Sequence, residues 1–253
     1  MHVLMRSRAL RRRTPGFTLI ELAIALFITA LVLGSLLVPL TTQVAQRKIS
    51  DTQKTLEDIK EALLGYAIAN GRLPCPASAT SNGVESFVGT VGASACTNPW
   101  DGYVPAATLG LQATDSQGYA IDAWGTRIRY AVTTANNNAF TTGNGMRNLG
   151  IATLAPNLDV CPTRYNNITS TDCGPGNAYL TNSAVAVIYS LGPNANTTGG
   201  TSADEAANLN GDQVFVSHVR SDPGTASGDF DDIVTWLSEN VLYNRMVAAG
   251  QLP

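Results

Sequence analysis

The 253-residue chain is long enough for one globular domain plus an appendage, and its 44% hydrophobic content is that of a folded protein, which excludes a disordered chain. The formal net charge of −3 conceals an asymmetry, because the first sixteen residues contain five arginines and no acid. Subtracting those five charges from −3 leaves −8 for the rest of the chain. Since an acidic domain repels the phosphate backbone, we expect no nucleic-acid partner.

A long apolar segment, residues 17–40, follows this basic tip. As a helix it would span about 36 Å, more than the roughly 30 Å hydrocarbon core of a bilayer. A secretory signal peptide would have a shorter apolar stretch and a small-residue cleavage site after it. A plain signal anchor fits the length, with its basic side in the cytoplasm, but leaves Glu21 unexplained. A carboxylate inside an apolar span is costly, which makes Glu21 a candidate functional residue.

The residues RRRTPGFTLIEL, at positions 11–22, resemble the cleavage and methylation motif of type IV prepilins and type II secretion pseudopilins, and the likeness extends over about residues 6–45. The resemblance implies that a membrane-bound prepilin peptidase cuts between Gly16 and Phe17 and N-methylates Phe17. It also implies that Glu21 serves assembly by meeting the N-terminal amine of a neighbouring subunit. Burying the two opposite charges together relieves the cost of burying either alone and fixes the register between subunits.

The resemblance also implies the domain organisation and the location of the protein. Residues 1–16 are a cleaved leader peptide, 17–40 a transmembrane helix, 41–71 an amphipathic helix and 72–253 a globular pilin-like domain. The protein is expected in the inner membrane as a single-pass protein with its globular domain in the periplasm, and in a filament or at the cell surface after assembly. The implied partners are the prepilin peptidase, other pilin or pseudopilin subunits and the inner membrane.

The segment from residue 41 to 70 has the spacing of an amphipathic helix, with apolar residues recurring every three or four positions. Asn70 and Gly71 supply a stop signal for this helix. Pro39 has two interpretations: a loop that ends the membrane helix, or a kink in one continuous helix from Phe17 to Asn70. We favour the kink, because helical patterning resumes directly after it.

Four cysteines lie beyond the apolar segment, and an even number in an exported domain favours disulfides. Three pairings are open, of which we favour Cys75–Cys96 and Cys161–Cys173, because each closes a short local loop. Metal binding is the weaker interpretation, since the chain has no Cys-x-x-Cys and only two histidines.

The globular domain is predicted to contain strands at 127–133, 184–191 and 213–219, which are rich in β-branched and aromatic residues between turn signals. Together with the N-terminal pattern they predict an α+β fold. In this fold a long N-terminal helix, half membrane-spanning and half amphipathic, packs on a small antiparallel sheet with long loops, as in type IV pilins.

Two features extend the resemblance to major pseudopilins. The first is the stretch Asp122-Ala123-Trp124-Gly125, and the second is residues 190–194 together with residues 230–236. In that group the C-terminal loop binds calcium, and the matching positions here are Asn194, Asp231 and Asp232. Calcium is therefore the one candidate cofactor, and a polar turn without an ion is the alternative. Further oxygen ligands are available from nearby acids and amides: Asp204, Glu205, Asn208, Asn210 and Asp212.

The predicted function is that of a structural subunit of a type IV pilus or a type II secretion pseudopilus, and not that of an enzyme. One alternative is a minor pilin at the filament tip that binds a surface, DNA or an exported protein, which the long loops favour. Another is a membrane-tethered enzyme with a pilin-like anchor. Ser217, His218 and Asp222 do not make a hydrolytic triad, because neighbouring residues of a strand point to opposite faces.

Overall fold

The protein is described here from a computed structural model. Side chains of residues 35–41 lie outside the description, as does all of the predicted leader except Gly16. The described residues are 16–164, 169–174, 178–195, 202–222, 224–225 and 228–253.

The secondary structure is one long helix followed by short strands and helices. In chain order the elements are α1 (Leu19–Asn70), β1 (Gly102–Tyr103), α2 (Ala106–Leu109), β2 (Arg129–Val132), α3 (Ala135–Asn138), α4 (Gly145–Leu149), β3 (Leu158–Cys161), β4 (Thr181–Ser190), α5 (Ala203–Asn208), β5 (Val214–Val216), β6 (Ile233–Ser238) and α6 (Glu239–Ala248). The short turn α3 is irregular, because its three asparagines have positive φ angles.

Helix α1 is continuous from Leu19 to Asn70, and the chain divides into two compact units inside it, between Arg47 and Lys48. The helix ends as predicted at Asn70, where Gly71 takes a φ of 68° and its N–H donates to the Ala67 carbonyl at 2.8 Å. The side chain of Pro39 lies outside the described residues, so the kink stays a prediction.

Strand β4 is the centre of a six-stranded mixed sheet. Strands β2 and β3 pair with successive parts of β4, and β6 pairs along it from Ala184 to Ser190. These pairs and β1–β2 are antiparallel, whereas β3 and β5 run parallel. The α+β class is therefore confirmed, but the predicted sheet was purely antiparallel and the observed sheet contains one parallel pair. The chain leaves β3 and returns to β5 by way of β4 and α5, which lets these two strands run in the same direction.

Both faces of the sheet are covered. On one face, α1 contributes Leu56, Ile59 and Leu63, which are buried in one cluster with side chains of the sheet and of α6. The opposite face buries a second cluster around Tyr189 and Phe215. A register shift in β4 between Ala184 and Ala186 puts Val185 and Ala186 both in the first cluster, as expected where a bulge interrupts strict alternation.

The long segment between α1 and β1 is held by a disulfide and a buried ion pair. Cys75 is bonded to Cys96, and Cys161 to Cys173, which is the pairing favoured from the sequence. Arg72 lies 2.7 Å from Glu85, and both side chains are less than 10% exposed. The Cys75–Cys96 bond and the Arg72–Glu85 ion pair fasten a stretch with little regular secondary structure to the end of α1.

Candidate functional site

The predicted cleavage site lies just before α1. A Cβ atom built on Gly16 would meet no atom of the described residues within 4 Å, and Gly16 does not need the left-handed conformation. Phe17 is 84% exposed. Among the described residues, no contact requires a glycine at position 16.

Glu21 lies in the first turn of α1, where its carboxylate accepts two hydrogen bonds from Thr18. The Thr18 N–H donates to Glu21 Oε2 at 2.9 Å, and the Thr18 hydroxyl donates to the same oxygen at 2.8 Å. In return, the Glu21 N–H points to Thr18 Oγ1 at 3.3 Å. This reciprocal arrangement is a capping box, which satisfies backbone groups at the start of a helix.

Within the described residues, no helix combines the length and the hydropathy of a membrane span. The transmembrane helix predicted at 17–40 includes residues 35–40, whose side chains lie outside the description. It stays a prediction.

A second candidate site lies in the globular unit, where three buried carboxylates meet. We call Glu205, Asp231 and Asp232 the carboxylate cluster, since one oxygen of each lies within 4.8 Å of the others. Glu205 is at the start of α5, which is capped by the Ser202 side chain. Asp231 and Asp232 directly precede β6. All three residues are less than 9% exposed.

Part of the cluster is satisfied by neighbouring amides. Glu205 Oε1 accepts from the Asn194 side chain at 2.9 Å and from the Asp231 N–H at 3.1 Å. Asp232 Oδ2 accepts from the Asn208 side chain at 2.8 Å. By contrast, the buried atoms Glu205 Oε2 and Asp231 Oδ1 have no hydrogen-bond partner among the described residues. A buried carboxylate oxygen without a partner is costly, so a cation or a further donor at these two oxygens would stabilise the cluster.

The burial of the cluster also changes its titration. Burial, reinforced by the neighbouring charge of Glu205, raises the pKa of Asp231 to about 6. Burial raises the pKa of Asp232 to about 8, although the hydrogen bond from Asn208 opposes this shift. Near neutral pH Asp232 therefore keeps a proton, which a bound cation would displace.

The predicted calcium ligands divide into three groups. Asp231 and Asp232 belong to the cluster, and Glu205, which was one of the additional candidates, supplies its third carboxylate. The side-chain nitrogens of Asn194 and Asn208 donate to cluster oxygens. The remaining candidates make other contacts: Asp204 accepts from the Arg164 N–H, and Asn210 donates to Asp212 in the turn before β5.

A chain of hydrogen bonds leads from Asp122 to Gly192, which packs against Asp231. Asp122 Oδ1 accepts from the Trp124 N–H, and Asp122 Oδ2 accepts from the Ser190 hydroxyl at 2.6 Å. Ser190 Oγ in turn accepts from the Gly192 N–H at 3.1 Å. Gly192 has a φ of 64°, and a Cβ atom there would overlap the carboxylate and the carbonyl of Asp231. The two stretches that resemble major pseudopilins thus meet beside the cluster.

A cavity of about 300 Å³ opens beside the cluster. Asp231 and Asp232 form part of its wall, with Trp124 and His218 nearby and Gln53 contributed by α1. An ion could reach two of the three carboxylates through this opening. The cluster contains only oxygen ligands, which are preferred by hard cations such as Ca²⁺ and are a poor match to metals that favour nitrogen or sulfur.

The comparisons with known proteins concern the first candidate site. A family model described as the prokaryotic N-terminal methylation motif matches residues 11–37. This motif is the signal of type IV prepilins and pseudopilins, and the N-terminal segment of this chain carries it. Neither the curated proteins nor the solved structures gave a match.

Proposed function

We propose that the protein is a structural subunit of a type IV pilus or a type II secretion pseudopilus, which acts by assembling and not by catalysing a reaction. The observation that carries this proposal is the methylation motif at residues 11–37. It is supported by a long α-helix that leads into an α+β unit, which is consistent with a type IV pilin fold. In this proposal the prepilin peptidase cuts after Gly16 and methylates Phe17.

Co-expression of the full chain with a prepilin peptidase tests the proposed processing. The expected product begins at Phe17 with an N-methyl group, as read by mass spectrometry of the intact protein. Gly16→Val should abolish cleavage, because a peptidase that grips the backbone at this position leaves no room for a side chain. Efficient cleavage of that variant would contradict the proposed role of Gly16.

Gly34→Val is the matched control for this experiment. Gly34 lies inside α1, and a Cβ atom there meets no atom within 4 Å, as at Gly16. The control variant should be processed like the wild type. If both variants are cut after residue 16, cleavage does not require Gly16; if neither is cut, the effect of valine is not specific to the cleavage site.

A minor subunit at the filament tip is the second form of this proposal. It is supported by the long disulfide-closed segment from Cys75 to Cys96, which is a candidate contact surface. Immunogold labelling of sheared filaments separates the two forms. Label along the shaft supports an abundant subunit, whereas label confined to the ends supports a tip subunit.

We further propose that the carboxylate cluster binds calcium. Two orphaned buried oxygens, three carboxylates within 4.8 Å and an adjacent cavity support this assignment. Glu205, Asp231 and Asp232 would hold the ion, and the charge of the ion would relieve their mutual repulsion. Melting of the detergent-solubilised full chain in calcium and in chelator provides the test, and an unchanged melting temperature would contradict the assignment.

A further inference from the structure

His218 lies between the two chain segments that supply the carboxylate cluster. Its Nε2 atom is 3.1 Å from Asp204 Oδ2, and Asp204 immediately precedes Glu205 in α5. Its ring stacks on Phe230, which precedes Asp231, with ring centroids 3.9 Å apart and planes inclined by 26°. One side chain therefore contacts the neighbours of two cluster residues on separate segments.

The orientation of the His218 ring is fixed by hydrogen bonds on both edges. Nδ1 lies 2.7 Å from the Val219 carbonyl and Nε2 lies 3.1 Å from Asp204 Oδ2; both partners are acceptors, so the tautomer of the ring decides which nitrogen donates. Asp204 is held in turn by the Arg164 N–H at 2.6 Å. The side chains of His218 and Asp204 are 17% and 3% exposed, and Phe230 is fully buried. These partners leave the imidazole little freedom to turn.

The contacts of His218 differ from the hydrogen bonds within the carboxylate cluster in whether they use an oxygen of a cluster carboxylate. The hydrogen bonds from Asn194, Asn208 and the Asp231 N–H each occupy an oxygen of a cluster carboxylate. Each of them therefore uses an oxygen that is a potential ligand for a cation. The contacts of His218 occupy no cluster oxygen, so they can persist unchanged when a cation is bound.

We propose that His218 is a positioning residue for the cation site, which clamps the start of α5 to the Phe230–Asp232 segment and holds the three carboxyl groups of the cluster close together. This inference rests on the proposed calcium binding. Groups that hydrogen-bond to metal ligands typically change affinity by about 10–100-fold when they are removed, and His218, which contacts the neighbours of two ligands, belongs at the lower end of that range. Loss of His218 should therefore weaken calcium binding while leaving the sheet and α1 intact.

Isothermal titration of the detergent-solubilised full chain with calcium chloride, after removal of bound ions by chelator, tests the inference. We expect His218→Ala to weaken calcium affinity about tenfold or more. His218→Gln should lose less, because its amide nitrogen can still donate to Asp204. Circular dichroism of each variant confirms that the fold is retained, and the glutamine variant keeps the test valid if alanine prevents folding.

Asn157→Ala is the matched control. Asn157 also links separate segments, since it accepts from Thr133 at 2.6 Å and donates to Gln213 at 2.9 Å, but neither partner belongs to the cluster. The Asn157→Ala variant should have a lower melting temperature than the wild type and the same calcium affinity. Wild-type affinity in both His218 variants would overturn the positioning role while leaving the calcium site standing. No calcium binding by the wild type would overturn both proposals, and a normal N-methylated product would still support the pilin function.

Discussion

At Gly192 the backbone passes so close to Asp231 that no other residue type fits. The position combines a φ of 64° with a Cβ direction that points into the carboxylate and the carbonyl of Asp231. Because both obstacles belong to a buried residue, they cannot move aside as a flexible surface side chain would. Gly192 therefore fixes the place of one cluster carboxylate, in addition to permitting a turn.

Gly192→Ala should displace Asp231 and abolish most of the calcium-dependent rise in melting temperature. The control is Gly150→Ala: Gly150 has a φ of 75°, but a Cβ atom there meets no atom within 4 Å. The control should cost about 1–3 kcal/mol from backbone strain alone, because Gly150 has a ψ of 156° that glycine adopts almost alone, and should keep the full calcium response. Differential scanning fluorimetry with calcium and with chelator measures both effects. An equal calcium response in the two variants would show that the contact with Asp231 is unimportant.

Among the cluster residues, Asp231 and Asp232 could be predicted and Glu205 could not be singled out. The first two follow from a local resemblance, because they lie in a short stretch next to β6. Glu205 lies on α5, 26 residues away from Asp231 along the chain, and several acids and amides in its neighbourhood were equally plausible ligands. Only the tertiary structure separates Glu205 from Asp204, because adjacent helical residues point in different directions.

At the level of elements, Glu21 at the start of α1 has one observed role and one proposed role. In the described structure its carboxylate caps the helix through Thr18. In the proposed filament it would meet the amine that cleavage creates at Phe17. The first role needs only a hydrogen-bond acceptor, whereas the second needs a negative charge.

Glu21→Gln and Glu21→Ala separate these roles. Glutamine also serves in a capping box but carries no charge, and alanine removes both functions. If the charge drives assembly, both variants should be processed normally and both should be absent from sheared filaments, as measured by immunoblotting. Incorporation of the glutamine variant at wild-type levels would show that capping alone suffices. Glu57→Ala, which removes an exposed acid paired with Lys60 elsewhere on α1, should assemble normally.

Several elements could be predicted from sequence because their signals are local. The end of α1 follows from the Asn70-Gly71 stop, and β2, β4 and β5 lie within the predicted strands apart from three extra residues at the start of β4. Strand β3 was missed because its four residues depend on β4 and β5, which are distant in sequence. Helix α6 was also missed. A sequence signal was present, since the apolar residues Leu242 and Met246 are four positions apart, and both are buried in the structure.

For the whole globular unit, buried acids set the dependence of stability on pH. Burial and the charge of Asp172 raise the pKa of Asp159 from 3.8 to about 6, and the pKa values of Asp231 and Asp232 are raised as well. A carboxyl group with a raised pKa binds its proton more tightly in the folded state than in the unfolded state. Stability therefore falls as the pH rises from about 4, through about 6 for Asp159 and Asp231, to about 8 for Asp232.

In chelator, the melting temperature should fall by several degrees between pH 5 and pH 8, since about 1 kcal/mol corresponds to roughly 2–4 °C in a protein of this size. Calcium should abolish the part of this decrease in melting temperature that comes from the carboxylate cluster, so calcium should stabilise the protein more at pH 8 than at pH 5.

Asp159→Asn should reduce the remaining dependence of the melting temperature on pH around pH 6. Asp51→Asn, at an exposed position of α1, serves as its control. A melting temperature that rises with pH in chelator would contradict the raised pKa values of these buried acids.

The burial of both disulfides has a consequence for the order of events during maturation. Cys75, Cys161 and Cys173 are fully buried, and Cys96 is 4% exposed. An oxidant cannot reach thiols inside a closed core, so both bonds must form while the chain is still partly open. Oxidation and folding are therefore one coupled process, which the cell can complete only in an oxidising compartment. Once folded, the protein should resist reductants until it unfolds, even where they are abundant.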